Sequence, residues 1–223
     1  MTKAMARTKI LRDPMNGLTH CIGAGLSVLG LVLLILKAAA PVKPWHLVTF
    51  SLFGAGLILL YTASTLYHWL PLSEAGVRRL RRLDHAMIFV LIAATYTPIC
   101  LIPLRGPWGW SLFGVIWGLA FAGITMKLLW LHAPRWLSTG IYLVMGWLCL
   151  IAVWPMVQTM PLGALAWLAA GGLSYSLGGV VYALKRPDPW PGILGFHEIF
   201  HLFVLGGSIA HFWVMYGYLA HLG

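Results

Sequence analysis

Of 223 residues, 60% are hydrophobic and only 9% charged, far below the roughly 25% charged of an ordinary soluble domain, so a water-soluble fold is excluded and a membrane protein is expected. The formal net charge of +10 would suggest a polyanionic partner in a soluble chain. In a membrane chain basic residues collect in cytoplasmic loops for topological reasons, so no nucleic-acid partner is expected.

Seven apolar segments, each near the ~20 residues that cross a bilayer, fall at approximately 16–38, 46–70, 83–103, 108–131, 136–155, 161–184 and 196–219. The first follows Lys3, Arg7, Lys9 and Arg12 and could be taken for a signal peptide. It is longer than a typical h-region, opens with polar Asn16, Thr19 and His20, and carries Lys37 where cleavage would fall, so a retained helix is expected. The second ends STLYHWL, which places Ser64 and His68 at its finish, and the third opens LDHAMIF, which places Asp84 and His85 at its start. The fourth and sixth carry small residues suited to close helix contact, Gly114 with Gly118, Gly171 with Gly172, and Gly178 with Gly179. Cys21, Cys100 and Cys149 sit singly in apolar runs and read as small buried residues. The seventh segment opens FHEIFH, with His197, Glu198 and His201 in its first turns. Short loops join the segments, and residues 1–223 read as one all-α membrane domain, a seven-transmembrane helix bundle without internal repeat.

Lysine and arginine give the orientation. Twelve belong to the N-terminus and the loops after segments two, four and six, whereas Lys37, Lys43 and Arg105 alone belong to the other side. This asymmetry predicts a cytoplasmic N-terminus and, after seven crossings, an extracytoplasmic C-terminus. Segments one, two, three and seven then bring Asn16, His20, Ser64, His68, Asp84, His85, His197, Glu198 and His201 to one cytoplasmic-side level, while their outer halves are almost purely apolar. Ionisable residues at membrane depth are expected to serve function.

The spacing points to a metal. His197 and His201 are four apart, one turn along one helix face, and Ser64 and His68 share that relation. Three imidazoles from two helices with a fourth position open suit a catalytic zinc, and neither clustered thiols nor a carboxylate-rich set suggests another metal. His46, His132, His211 and His221 read as packing. Asp84 has alternative readings as a helix cap or a partner of Arg81 or Arg82, and Asn16 as an N-cap. HEIFH also matches the HExxH of zinc peptidases, but the usual third-ligand position six residues on is Gly207.

Taken together, NGLTHCIG, STLYH, LDHAMIFVLIAATYTP, GGVVYALKRPDP and GFHEIFHLF closely resemble the bacterial haemolysin III proteins of the progestin and adiponectin receptor family. The resemblance runs from about Asp13 to Tyr216. It implies a seven-helix bundle in the bacterial inner membrane with a cytoplasmic-side zinc on His68, His197 and His201, Ser64 at the metal, and Asp84 reaching it through water. Family members usually carry acidic residues just before NxxTH, where this chain has only Asp13. The long soluble N-terminal region of the animal receptors has no counterpart, so hormone binding is not expected to transfer.

A zinc-dependent lipid amide or ester hydrolase, ceramidase-like and acting in membrane lipid homeostasis, is the leading expectation. Asp84 would serve as base, Ser64 would orient the water or stabilise the oxyanion, and membrane lipids would be substrate or ligand. A non-enzymatic zinc-stabilised sensor is the alternative, ahead of a pore-forming haemolysin or a protease.

Overall fold

The computed structural model describes residues 10–130 and 132–222; Lys3, Arg7, Lys9, the Leu131 end of the expected fourth segment and Gly223 lie outside them. Among the described residues, seven crossings are long and apolar enough to span a bilayer. They are α1 (Pro14–Ala39), α2 (Pro44–Trp69), α3 (Glu74–Leu101), α4 (Pro107–Leu129), a composite fifth crossing of α5 (Arg135–Trp147), a 3-10 segment (Leu148–Ala152) and α6 (Val153–Thr159), then α7 (Leu162–Leu184) and α8 (Phe196–Gly217). At 1.5 Å rise, the 26 residues of α1 or α2 extend about 39 Å, enough to cross the hydrocarbon with some tilt. Proline opens α1, α2 and α4 at positions where the missing amide has no helical partner.

The outside is the apolar part of this molecule. Phe121, Trp136 and Leu162 are more than 60% exposed (63%, 72% and 82%), whereas His20, Ser64, His68, Thr97 and His201 are buried. That inversion is what a hydrocarbon solvent selects. Phe50, Phe53, Phe89, Ile116 and Val214 seal the interior with no measurable exposure.

Two expectations are corrected. The basic stretch before segment three is not a loop: α3 begins at Glu74, capped by Ser73 Oγ, which accepts from the Gly76 amide at 3.4 Å. Asp84 therefore lies nearly three turns inside a helix and cannot cap it. Gly114 and Gly118 do not mediate helix contact within the bundle, since a Cβ at either would meet nothing within 4 Å. The buried face of α4 runs through Leu112, Ile116, Ala120 and Gly123, which turns Gly114 and Gly118 outward.

The fifth crossing departs from a regular helix where Tyr96 of α3 reaches it. The Tyr96 hydroxyl lies 2.9 Å and 2.8 Å from the Met145 and Gly146 carbonyls and accepts from the Cys149 amide at 2.8 Å. In lipid every freed backbone group needs such a partner, so one phenol makes the irregular segment tolerable. At the end where α1 stops and α8 finishes, Lys43 Nζ donates to the Ala220 and Leu222 carbonyls, and His46 Nε2 bonds the Leu219 carbonyl at 3.0 Å.

Candidate metal centre

At the opposite end the start of α1 is laid onto the finish of α2. The last carbonyls of α2 lack intrahelical donors; here the Asp13 amide donates to the His68 carbonyl at 2.8 Å and the Arg12 amide to the Trp69 carbonyl at 3.2 Å. Trp69 Nε1 returns a bond to the Pro14 carbonyl at 3.0 Å. The indole packs so closely on Gly17 that a Cβ there would stand 2.0 Å from the ring, so glycine at 17 is a steric requirement. This junction holds Asp13 beside His68.

α8 starts equally firmly. The Gly195 amide donates to Glu198 Oε2 at 2.9 Å, and the Phe196 amide to Asp188 Oδ1 at 3.0 Å. Two carboxylates thus satisfy amides at the positive end of the helix dipole. Glu198, the glutamate of HEIFH, is buried in that cap and does not line the central cavity, which removes it from a peptidase role.

With both helices anchored, His68 of α2 and His197 and His201 of α8 present ligand atoms all within 4.8 Å of one another. His68 Nε2 and His197 Nε2 stand 3.2 Å apart. Two nitrogens at the usual zinc distance of ≈ 2.0–2.1 Å in a tetrahedron would be separated by about 3.3–3.4 Å, so this spacing fits a shared zinc ion. On His68 and His201 the other ring nitrogen is engaged. His68 Nδ1 faces Asp13 Oδ2 at 3.3 Å, and His201 Nδ1 faces the Asn16 carbonyl at 3.2 Å and Thr19 Oγ1 at 3.0 Å. Those partners leave Nε2 free on both rings, the arrangement by which carboxylates and carbonyls orient metal-binding histidines.

Among the positions expected at the site, Ser64, Asp84, His197 and His201 line one cavity of ≈ 180 Å³, and His68 is buried behind its wall against His197. Asp84 pairs with His85 Nδ1 at 3.3 Å rather than with Arg81 or Arg82. Asn16 contributes its carbonyl and is not a helix cap, because α1 begins at Pro14.

Sequence reasoning left two participants without roles. Asp13 is the partner of His68, itself approached at 3.3 Å by Arg12, whose guanidinium lies over the Tyr67 ring. His20 stacks on His201 with ring centroids 3.5 Å apart and has no hydrogen-bond partner on either nitrogen. Their i, i+7 spacing placed both at the start of α1, but only the packing of α1 against α2 and α8 gives them these neighbours. Polar groups also continue deeper than the single level expected. Tyr61 donates to Ser208 Oγ at 2.6 Å, Tyr175 bonds the same hydroxyl at 2.8 Å, and His211 Nε2 bonds the Leu168 carbonyl at 3.2 Å. These bonds run between helices, as polar groups buried in lipid require, although His211 Nδ1 has no partner.

Comparison with known proteins agrees with this architecture. The profile of the family described as Haemolysin-III related matches residues 8–212. The chain is 41% identical over 209 residues to a hemolysin-3 homolog of Bacillus subtilis, covering 94% of this chain and 95% of the relative. It is 38% identical over 222 residues to hemolysin-3 of Bacillus cereus, covering 98% of each. A human monocyte to macrophage differentiation factor is 30% identical over 180 residues, 78% of this chain and 72% of the relative.

Proposed function

The chain belongs to the haemolysin-III-related family of multi-pass membrane proteins, and on that premise we propose that it is a zinc-dependent hydrolase of membrane lipids, cleaving an amide or ester in its central cavity. The triad end would face the cytoplasm, in a bacterial inner membrane. What carries the reading is the convergence of three imidazoles, two of them with the second nitrogen engaged, at a cavity that His197, His201, Ser64 and Asp84 line.

His68, His197 and His201 would hold the metal. A zinc ion so bound supplies Lewis acidity toward a carbonyl and brings a water's pKa to about 7. Asp84 is placed to take a proton from water and return it to the leaving amine or alcohol. Its neighbour His85 places Nδ1 3.3 Å from the carboxylate. Ser64, buried one turn before His68, offers a hydroxyl donor to the developing oxyanion. The apolar lining beyond, with Leu60, Ile88, Leu91 and Val204, accommodates an acyl chain better than a peptide.

The pairing of Asp84 with His85 also favours a second reading, in which the carboxylate is structural and the zinc serves a non-enzymatic sensor. Asp84→Asn separates the two. Purified wild-type protein and the variant should both contain zinc by elemental analysis, and only the wild type should change the lipid composition of the host membrane. Full lipid remodelling by zinc-loaded Asp84→Asn would remove Asp84 as the base and favour the sensor. A pore, which the name of the Bacillus cereus relative suggests for that protein, would need a continuous polar path, whereas Leu60, Ile88, Leu91, Ile92 and Val204 make the cavity lining largely apolar.

A further inference from the structure

Three cations face the mouth of this same cavity. Lys127, two residues before the end of α4, is only 2% exposed, and its ammonium bonds Ser138 Oγ. Arg81 of α3 lies one turn before Asp84 and His85, and Arg135 opens α5 with its guanidinium over the Tyr182 ring, 5.4 Å from the centroid. All three line the cavity. Among the described residues the carboxylates within 4 Å of a basic side chain are Asp13 with Arg12 and His68, Glu74 with Arg78 and Asp84 with His85. None of the three mouth cations has an acidic partner.

A lysine near the end of a membrane helix normally extends outward to reach the headgroups and water. Lys127 is instead turned inward and covered. The positive-inside rule explains basic residues at a helix end but not their convergence on a cavity. A covered charge without a counter-ion is costly, and an anion entering here would satisfy it with charge-assisted hydrogen bonds.

Resting on the hydrolase reading, we propose that the cavity selects a lipid with an anionic phosphate headgroup, held by Arg81, Lys127 and Arg135, its acyl chain running inward along Leu91 and Val204. The headgroup and the chain then bracket the level of His197 and Asp84, which places the linking ester or amide beside the metal-binding side chains. The same cations could hold free phosphate, so the test must tell the two sources apart.

Native mass spectrometry of the purified protein in detergent, titrated with phosphatidylglycerol, phosphatidylcholine or inorganic phosphate, reads binding independently of turnover. Wild type should prefer phosphatidylglycerol over phosphatidylcholine at least tenfold. Lys127→Met and Arg135→Gln should each weaken phosphatidylglycerol about tenfold, the effect of one charged hydrogen bond. Arg79→Gln, an equal charge change on the exposed face of α3, should leave it unaltered and so control for general attraction of anionic lipid. Arg135 is exposed, so its variant folds even where Lys127→Met does not, and Lys127→Arg should restore binding. Equal weakening by Arg79→Gln, no lipid preference in the wild type, or displacement of lipid by millimolar phosphate would each overturn the headgroup site. Selective binding without any hydrolysis would defeat the hydrolase reading alone, and hydrolysis indifferent to headgroup charge would defeat this one alone.

Discussion

Removing the Asp13 carboxylate tests the metal centre without touching a ligand. Asp13 Oδ2 lies 3.3 Å from His68 Nδ1, and the aspartate side chain is 43% exposed. Loss of a carboxylate that orients a ligating histidine typically lowers metal affinity 10- to 100-fold. The long contact and the partial exposure put Asp13→Ala at the weak end of that range, about tenfold or ~1.4 kcal/mol. Asp13→Asn keeps an acceptor and loses the charge, so it should fall between variant and wild type. The aspartate side chain makes no cap bond to α1, and the backbone bond from residue 13 to the His68 carbonyl survives the substitution. Thermal stability of the metal-free protein should therefore change by less than ~0.5 kcal/mol. Competition against a chromophoric zinc chelator in detergent reads the affinity, with His68→Ala as the reference for loss of a ligand. Wild-type affinity in Asp13→Ala, beside a large loss in His68→Ala, would refute the orienting role.

Glu198→Gln should keep zinc and lipid turnover while costing about 0.5–2 kcal/mol of stability, the range for a helix cap; loss of turnover with zinc retained would restore the peptidase reading of HEIFH. A reporter inserted near Ala75 should behave as cytoplasmic and one fused after Gly223 as extracytoplasmic, and the reverse at either position would turn the proposed orientation over. Chelation of zinc from the wild type should lower the unfolding temperature and still leave one cooperative transition, which circular dichroism follows; a non-cooperative melt would make the metal a folding element.

The parts of the fold legible in the sequence are those that repeat locally. Seven apolar runs between short loops report seven crossings, and two histidines four apart report one helix face without reference to any other helix. His68 was reachable because loop charge supplied an orientation and orientation supplied a depth. What depended on packing was less visible. A run such as RRLRR reads as a loop by charge, yet Ser73 and Glu74 start a helix there and carry the arginines on its turns. The irregular fifth crossing depends on one hydroxyl of Tyr96, more than forty residues upstream, and LCLIA itself carries no sign of it. A lone aspartate before a proline carries no role in the sequence, and only the docking of α1 on α2 makes Asp13 the partner of His68. Lys127 likewise counts as a topological charge until α5 covers it.

The same packing bears on whether the metal is a clamp or a reagent. A structural zinc is informative where helices would otherwise separate, and outside the triad α2 and α8 are tied at single points rather than along their length. Tyr61 of α2 bonds Ser208 of α8 at 2.6 Å, and His46 bonds the Leu219 carbonyl at 3.0 Å beyond it. α1 reaches both, through Asp13 and Trp69 to α2 and through the Asn16 carbonyl to His201. α5 also lines the cavity and bears none of the three histidines; it is tied by Tyr96 and Tyr142 to α3, by Ser138 to Lys127 of α4 and by Trp147 to Ser176 of α7. Under the proposed hydrolase reading, His197 and His201 on the wall of a cavity that a carboxylate and a hydroxyl also line, with His68 behind them, would have to keep ligand geometry constant while substrate enters and leaves.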